Sequence, residues 1–375
     1  MIIRYLHTEI IKQLTDNHKV VVVFGARQVG KTTLIKQIIE KISLKTLHIN
    51  ADQTRYHEVL SSRDLNKMQS LIGDNELLFI DEAQNIPNIG INLKILHDEM
   101  PELKIIVSGS SSFELANRIK EPLTGRTVTF HLYPLALLEL KNEMTEFELK
   151  DKIEEFLIFG TYPGVYTLNT TTKKIKHLVE LISSYLYRDV LQLSNIKHSD
   201  KIYRLLKLLA YQIGSEVSIH ELAKQLGMSH ETVNSYIDLL EQGFIIHRLS
   251  AYSRNLRKEV SKRDKIYFTD TGIRNALINN FNTLTNRTDV GALWENFLFI
   301  ERQKKMEYHA VHGQPFFWRL YSGAELDYIE ERDGKLFGYE FKWGGRKKNP
   351  PKSWLDNYDS TFEIINKENY FDFII

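Results

Sequence analysis

Short apolar runs alternate with amphipathic stretches over the first part of the chain. Residues 19–24, KVVVVF, form a β-branched run that is typical of a strand buried on both faces. Residues 33–42 follow with apolar side chains at helical spacing, at Leu34, Ile35, Ile38, Ile39 and Ile42. Further apolar runs at 44–50, 77–80 and 103–111 continue the alternation of strand and helix. The pattern predicts an α/β fold built on a parallel sheet.

The loop between the first strand and the helix after it reads GARQVGKT. Two glycines five positions apart, followed by Lys and Thr, fit the Walker A spacing. Backbone N–H groups of such a loop face phosphates, Lys31 would reach the β- and γ-phosphates, and Thr32 would place a hydroxyl on Mg²⁺. A glycine turn with a solvated lysine is the alternative, but the strand–loop–helix context favours a phosphate loop. The predicted nucleotide-binding residues are Gly25, Ala26, Arg27, Gln28, Val29, Gly30, Lys31, Thr32 and Thr33.

Two acidic residues end the apolar run in LLFIDEAQ. This arrangement matches a Walker B element, in which Asp81 would hold Mg²⁺ through its water shell and Glu82 would orient and activate the attacking water. The alternative is that both acids cap a helix starting near Asn85. The position of the pair after a buried strand, downstream of a Walker A loop, favours the Walker B interpretation.

Other polar residues are candidates for the chemistry of the same site. Ser108 or Ser110, at the end of the strand 103–111, could contact the γ-phosphate or the attacking water, or could simply cap the next helix. Arg126 could neutralise transition-state charge, either in cis or from a neighbouring subunit of an oligomer. Arg118 is a weaker candidate for that role. For either arginine, an ordinary surface position is an equally good interpretation.

The segments GARQVGKTT, LLFIDEAQ, SGSS, LTGR and YPL, in this order, resemble a prokaryotic family of AAA-type P-loop ATPases. Members of that family join the ATPase core to a C-terminal domain of unknown function related to the PD-(D/E)XK nuclease fold. The resemblance covers nearly the whole chain. It implies ATP and Mg²⁺ as ligands and ATP hydrolysis as the activity.

This resemblance and the periodicity together predict four parts. They are a P-loop AAA-type core (1–135), a helical lid (136–200), a winged-helix-like domain (201–262) and a nuclease-like α/β domain (263–375). The family has a turn like FGTYPGVY (159–166) in a lid beside the nucleotide. Arg188 in the lid could approach the nucleotide, or could be an ordinary solvated arginine.

Residues 201–250 have the pattern of a winged helix-turn-helix. Ser218 and Glu221 form a capping box, Gly227 supplies the turn, and Ser229 caps the second helix. Such a helix contacts DNA in many proteins. Here its exposed positions carry three acids and no Lys or Arg, which disfavours phosphate binding and favours a structural or protein-binding use. These positions are His230, Glu231, Asn234, Asp238 and Glu241.

Three segments near the C-terminus alternate polar and apolar residues with period two, at 315–322, 324–331 and 336–343. A turn at Asp333–Gly334 would pair the last two, so that Asp327, Glu340 and Lys342 converge. This is a D…E-x-K arrangement, which resembles the PD-(D/E)XK nucleases, although Leu326 replaces the usual proline. The two carboxylates, with Glu295 from a helix, would bind a second divalent cation such as Mg²⁺ or Mn²⁺, and Lys342 would position water. A salt-bridge cluster without turnover is the alternative.

Composition limits the possible partners. The chain has 375 residues, a net charge of +1 and no cysteine, so no global field attracts nucleic acid or membranes and no disulfide forms. Two basic segments, 254–265 and 346–352, could contact phosphates or could be solvated loops. No signal-peptide core or membrane-spanning run is evident, and we expect a cytoplasmic protein without membrane contact.

Two functions are consistent with these features. In the first, an ATPase cycle gates a nuclease-like domain that acts on nucleic acid. In the second, a nucleotide-switched scaffold or signalling ATPase binds a protein partner through the winged-helix-like domain and an inactive nuclease-like domain. A small-molecule kinase is disfavoured because no acceptor pocket is apparent.

Overall fold

A computed structural model describes residues 2–110, 123–185, 199–252, 263–320, 323–345 and 349–375. The chain divides into two compact units. The first comprises Met1–Pro134 with Gln242–Phe244, and the second comprises Leu135–Glu241 with Ile245–Ile375. The finer division of the second unit into a lid, a winged-helix-like domain and a nuclease-like domain stays a prediction.

The first unit contains a five-stranded parallel sheet in the order β2-β3-β4-β1-β5. This confirms the α/β prediction. Its strands are β1 Val20–Phe24, β2 Thr46–Asn50, β3 Leu77–Asp81, β4 Lys104–Gly109 and β5 Thr127–His131. Its helices are α1 Leu6–Asp16, α2 Lys31–Ile42, α3 His57–Leu60, α4 Leu65–Ile72 and α5 Ile89–Glu99, with 3₁₀ turns at Thr54–Tyr56 and Ala83–Asn85.

The core of this unit follows from the alternation of side chains along the strands. Val20, Val22 and Phe24 of β1 lie in one cluster with apolar side chains of α4 and α5, such as Met68 and Leu93. The intervening valines of β1 face the opposite side of the sheet and are also buried. Strands buried on both faces explain the continuous apolar runs. Because all strands run parallel, the loops after β1, β3 and β4 meet at one edge of the sheet.

The second unit begins with helices, continues with a helix pair and a two-stranded ribbon, and ends in a four-stranded sheet in the order β11-β10-β9-β8. In that sheet β8, β9 and β10 are antiparallel, and β11 runs parallel to β10. The strands are β6 Ile246–Leu249, β7 Lys265–Phe268, β8 Gln314–Arg319, β9 Glu325–Arg332, β10 Lys335–Phe341 and β11 Ser360–Ile365.

The helices from residue 135 onward are short or of medium length, except for one helix of 19 residues, Val290–Tyr308. They are α6 Leu137–Leu140, α7 Glu146–Asp151, α8 Ile153–Phe159, α9 Pro163–Tyr166, α10 Thr171–Tyr185, α11 Ser199–Tyr211, α12 Ile219–Leu226, α13 His230–Gln242, α14 Thr271–Leu277, α15 Val290–Tyr308, α16 Lys352–Asn357 and α17 Tyr370–Ile374, with a 3₁₀ turn at Leu284–Asn286.

The serine and glycine caps predicted for the helix pair are formed, whereas the reciprocal capping box with Glu221 stays a prediction. The Ser218 hydroxyl accepts a hydrogen bond from the Glu221 amide at 3.3 Å and caps α12. Gly227 ends that helix with φ +59°, a conformation that favours glycine. Ser229 accepts from the Thr232 amide at 3.2 Å at the start of α13.

A buried carboxylate holds the loop after α8 against the start of α14. Asp270 accepts hydrogen bonds from the Thr161 amide at 2.7 Å and from the Ile273 amide at 3.1 Å. A Cβ at position 160 would lie 2.0 Å from Asp270 Oδ1, so only glycine allows this approach. Burial raises the pKa of Asp270 to about 6, although backbone N–H groups and the Lys304 ammonium favour its charged form.

The raised pKa of Asp270 predicts how the stability of the protein depends on pH. An unfolded aspartate has a pKa near 3.8, so between that value and about 6 the folded state binds more protons than the unfolded state. The contribution of Asp270 to the free energy of unfolding is fully present below the unfolded pKa and is lost as the pH rises through the folded pKa. This loss is at most about 3 kcal/mol. Urea unfolding of the wild type and Asp270→Asn from pH 4 to pH 8 checks this. The stability of the wild type relative to the variant should fall with rising pH, and a constant or rising difference would contradict the assignment.

Candidate functional site

The predicted phosphate loop lies at the edge of the first unit's sheet where the strands end. β1 ends at Phe24 and α2 begins at Lys31, with Gly30 preceding it at φ +99°. At Gly25 a Cβ would lie 2.3 Å from the Leu132 carbonyl oxygen. Glycine is therefore required at position 25 by a close backbone approach and at position 30 by backbone conformation. In a loop of this kind, the backbone N–H groups and the N-terminus of the following helix can bind an anion.

The ammonium of Lys31 is held against the loop itself. Its Nζ donates to the carbonyl oxygens of Gly25 at 2.8 Å and Ala26 at 3.0 Å, and the residue is 5% exposed. The other loop residues differ in exposure, since Val29 is buried whereas Gln28 and Thr33 are exposed. An ammonium group at the start of a helix that follows a glycine loop is of a kind that can bind phosphate oxygens.

The loop is joined to the predicted Walker B strand by a hydrogen bond. Thr32 Oγ1 donates to Asp81 Oδ2 at 2.7 Å, and Ser108 Oγ at the end of β4 donates to Asp81 Oδ1. Hydroxyl and carboxylate oxygens at one point form the kind of donor set that Mg²⁺ prefers. The oxygens of Thr32, Asp81 and Ser108 are thus of a kind that could hold Mg²⁺, and the roles of Thr32 as a ligand and of Asp81 in holding the ion's water shell stay predictions.

Glu82 follows in a strained backbone conformation. Its φ of +54° places it in the left-handed region, which is costly for a residue with a side chain. Gln84 Nε2 donates to Glu82 Oε2 at 2.6 Å and also lies 3.3 Å from Ser110 Oγ. The structure thus brings Glu82 and Ser110 together through Gln84, a residue that the sequence analysis did not select.

Arg4 is a second residue that the sequence did not indicate. Its guanidinium donates to the carbonyl oxygens of Val29 at 2.8 Å and Tyr133 at 2.6 Å, and the residue is 6% exposed. Because the Val29 carbonyl is turned toward Arg4, Arg4 supports the loop from behind. No local motif surrounds Arg4, and its partners are 25 and 129 positions away in sequence.

Arg126 does not join these residues. The Val20 amide donates to the Arg126 carbonyl at 2.9 Å, and Val20 pairs with Thr127, so Arg126 lies where β1 begins. The phosphate loop follows the other end of β1, roughly 13 Å further along at about 3.3 Å per residue. Arg126 therefore cannot neutralise charge at the phosphate loop of its own chain in this structure, and a role at the nucleotide of a neighbouring subunit stays a prediction.

The side chain of Arg126 has a structural partner. Its guanidinium donates to Asp98 at 2.7 Å and 3.2 Å. This pairing, with a smaller contribution from His97, lowers the pKa of Asp98 to about 2. Arg118, Arg188, residues 254–262 and residues 346–348 lie outside the described part of the chain.

The residues of the predicted C-terminal site do converge in the second unit. The turn at Asp333–Gly334 joins β9 to β10, and the Phe341 amide donates to Asp327 Oδ2 at 2.8 Å. Lys342 Nζ lies 2.6 Å from Glu340 Oε1. Burial is the main cause that raises the pKa of Asp327 to about 7, and the negative charge of nearby Glu295 in α15 is the second cause.

Lys265, which the sequence analysis placed in a basic segment open to phosphates or solvent, is buried within this cluster. Lys265 Nζ donates to Glu295 Oε1 at 2.8 Å and lies 4.0 Å from Asp327 Oδ1. The Tyr267 hydroxyl donates to the same Glu295 oxygen at 2.6 Å. Within the described ranges, no group of three or more His, Asp or Glu side chains is arranged to hold a metal ion. The Lys265 ammonium thus lies among the carboxylates predicted to bind a metal, and the metal site at Asp327, Glu340 and Glu295 stays a prediction that this contact disfavours.

Comparisons with known proteins agree with the fold of the first unit. Residues 17–141 match the family described as an AAA domain. Residues 150–284 and 290–366 match two families described as domains of unknown function, DUF8612 and DUF4143. The first unit is thus an AAA-type nucleotide-binding ATPase domain, whereas neither match identifies a winged helix or a nuclease.

Relatives extend over most of the chain. An uncharacterized protein of Mycobacterium tuberculosis is 27% identical over 327 residues, which cover 86% of this chain and 70% of that protein. One from Methanocaldococcus jannaschii is 25% identical over 331 residues, which cover 83% and 72%. A Walker-type ATPase of Pyrococcus abyssi has a similar structure, with a TM-score of 0.50, 15% identity and coverage of 72% of this chain and 94% of that one. At this identity the likeness shows the fold alone. Within the described residues, no helix is long and apolar enough to cross a membrane.

The position of Arg4 predicts an effect on nucleotide affinity. Arg4→Ala removes both hydrogen bonds behind the loop, and we expect ATP to bind at least about tenfold more weakly, since each such bond contributes about 1 kcal/mol. Arg126→Ala is the matched control, because it removes an arginine at the far end of β1 and should change the affinity less than about twofold. Titration with a fluorescent ATP analogue and Mg²⁺ measures both. An equal loss in the two variants would contradict the placement of Arg4.

Proposed function

We propose that this chain is a Mg²⁺-dependent ATPase that binds ATP at the loop 25–33 and hydrolyses it there. The observation that carries the proposal is the 2.7 Å hydrogen bond from Thr32 Oγ1 to Asp81 Oδ2. It brings the hydroxyl that would ligate Mg²⁺ to the carboxylate that would hold the ion's water shell. Lys31 and Glu82 each lie one residue from this pair, so the groups for binding and for hydrolysis adjoin one another.

Each residue would have a distinct role. Mg²⁺, when bound, neutralises charge on the β- and γ-phosphate oxygens. Lys31 would donate hydrogen bonds to the same oxygens as charge develops during phosphoryl transfer. Glu82 would orient the attacking water and accept its proton. Gln84 would fix the Glu82 carboxylate by its hydrogen bond. Ser110, which contacts Gln84, would lie near the γ-phosphate.

Substitutions at Lys31 and Glu82 separate binding from hydrolysis. Lys31→Ala should weaken ATP binding at least about a hundredfold, because it removes charge-assisted hydrogen bonds. Glu82→Gln should leave ATP affinity nearly unchanged and lower kcat by about 10²–10⁴-fold, because it removes the base. Lys41→Ala is the control, since Lys41 is exposed on the same helix about 15 Å from the loop. Nucleotide titration and phosphate release measure these effects, and unimpaired hydrolysis by Lys31→Ala would disprove the assignment.

For the role of the nucleotide cycle, we infer a switched scaffold that binds a protein partner rather than a gate for nucleic-acid cleavage. The observation that favours this version is the charge on α13, whose sequence HETVNSYIDLLEQ contains no Lys or Arg. The guanidinium of Arg248 in β6 lies beside that helix but pairs with Asp238 at 2.7 Å and Glu241 at 2.6 Å. An acidic face of this kind repels phosphates and suits a basic or polar protein surface.

Nucleic-acid assays discriminate between the two versions. The scaffold version predicts weak DNA binding and no Mg²⁺-dependent nicking of single- or double-stranded DNA by the wild type. The gated-nuclease version predicts nicking that Asp327→Ala and Lys342→Ala both remove, and DNA affinity that falls steeply with salt. Gel assays of nicking, with Glu82→Gln as the control for a dependence on ATP turnover, decide between them.

A further inference from the structure

We propose that the ammonium group of Lys265 is the internal counter-ion of the C-terminal carboxylate cluster and excludes a divalent cation from it. The cluster is defined by Glu295, Asp327, Glu340, Lys342 and Lys265. This inference goes beyond ATP hydrolysis and does not rest on it. It assigns a function to a lysine that belongs to no predicted motif, and it predicts that removal of this one charge creates a metal site.

Lys265 is fixed in position by its backbone and its surroundings. It begins β7, where it pairs with Leu249 of β6, and it forms an isolated bridge with Glu216 on the other side. Its side chain is 8% exposed, and the ammonium lies 5.5 Å from the centre of the Phe317 ring. A buried ammonium on a backbone paired on both sides cannot swing into solvent as a surface lysine does.

The carboxylates around Lys265 already have donors. Glu295 Oε1 accepts from Lys265 and from the Tyr267 hydroxyl, at 2.8 Å and 2.6 Å. Asp327 Oδ2 accepts from the Phe341 amide at 2.8 Å. Glu340 Oε1 is paired with Lys342 at 2.6 Å. Three carboxylates facing two ammonium groups leave a net charge of at most −1, which is too little to offset the desolvation of a divalent ion.

A divalent cation between Glu295 and Asp327 would also lie next to the Lys265 ammonium. Like charges at such short range, in a site with little access to water, repel strongly. Divalent cations that bind to proteins need several carboxylate or carbonyl oxygens facing one point. With Lys265 neutralised, Glu295 and Asp327 would have no cation between them, and the oxygens that now contact the ammonium could ligate a metal.

Mn²⁺ titration of the full chain without nucleotide tests the proposal, since Mn²⁺ has the ligand preferences of Mg²⁺ and can be followed by its paramagnetic signal. Lys265→Met should gain one Mn²⁺ per chain, bound at least about tenfold more tightly than any Mn²⁺ on the wild type. The gain should disappear in Lys265→Met combined with Asp327→Asn. Lys335→Met, which removes an exposed lysine at the start of β10, is the matched control and should behave as the wild type.

Two results would overturn the proposal. One is a wild-type chain that binds Mn²⁺ as tightly as Lys265→Met and loses it in Asp327→Asn. The other is a folded Lys265→Met that gains no site, or that gains one insensitive to Asp327→Asn. Should Lys265→Met fail to fold by circular dichroism, wild type and Asp327→Asn still test the proposal, because their titrations should coincide. The titration measures Mn²⁺ binding and not ATP turnover. Its result therefore does not depend on whether the chain hydrolyses ATP.

Discussion

The hydrogen bond between Thr32 and Asp81 is the contact on which the nucleotide-binding site depends. Thr32 lies in the first turn of α2 and Asp81 at the end of β3, 49 positions apart in sequence. In the sheet order β2-β3-β4-β1-β5, the strand β4 separates β3 from β1. The hydroxyl at the end of β4, Ser108, donates to the same Asp81 carboxylate. The Asp81 carboxylate at the end of β3 thus accepts hydrogen bonds from Ser108 of β4 and from Thr32 of the helix after β1. These residues meet because the strands run parallel.

The lysines of the two charged sites, the phosphate loop and the C-terminal cluster, have different hydrogen-bond partners. At the phosphate loop, the Lys31 ammonium donates to two backbone carbonyl oxygens. In the C-terminal cluster, Lys265 and Lys342 are each paired with a full carboxylate charge. A carbonyl oxygen carries only a partial charge, whereas an ionised carboxylate neutralises an ammonium group. The same residue type is therefore held by the backbone in one unit and by charged side chains in the other.

Most of the first unit could be predicted from the sequence, because its signals are local. The apolar runs give buried strands, and the spacing of Gly25, Gly30 and Lys31 gives the loop between a strand and a helix. Arg4 and Lys265 could not be found in this way, since their partners are distant in sequence and no motif marks them. The position of Arg126 away from the phosphate loop of its own chain has a local signal in the sequence. A residue that immediately precedes a parallel strand lies at the amino edge of the sheet, away from loops that follow strands.

The left-handed backbone at Glu82 bears on how this chain can change over evolution. A side chain in that conformation stores about 1–3 kcal/mol of strain, which glycine would release. Replacement by glycine would therefore make the fold more stable while removing the carboxylate. If Glu82 activates water as proposed, a lineage that lost ATP hydrolysis could exchange this glutamate for glycine and gain stability.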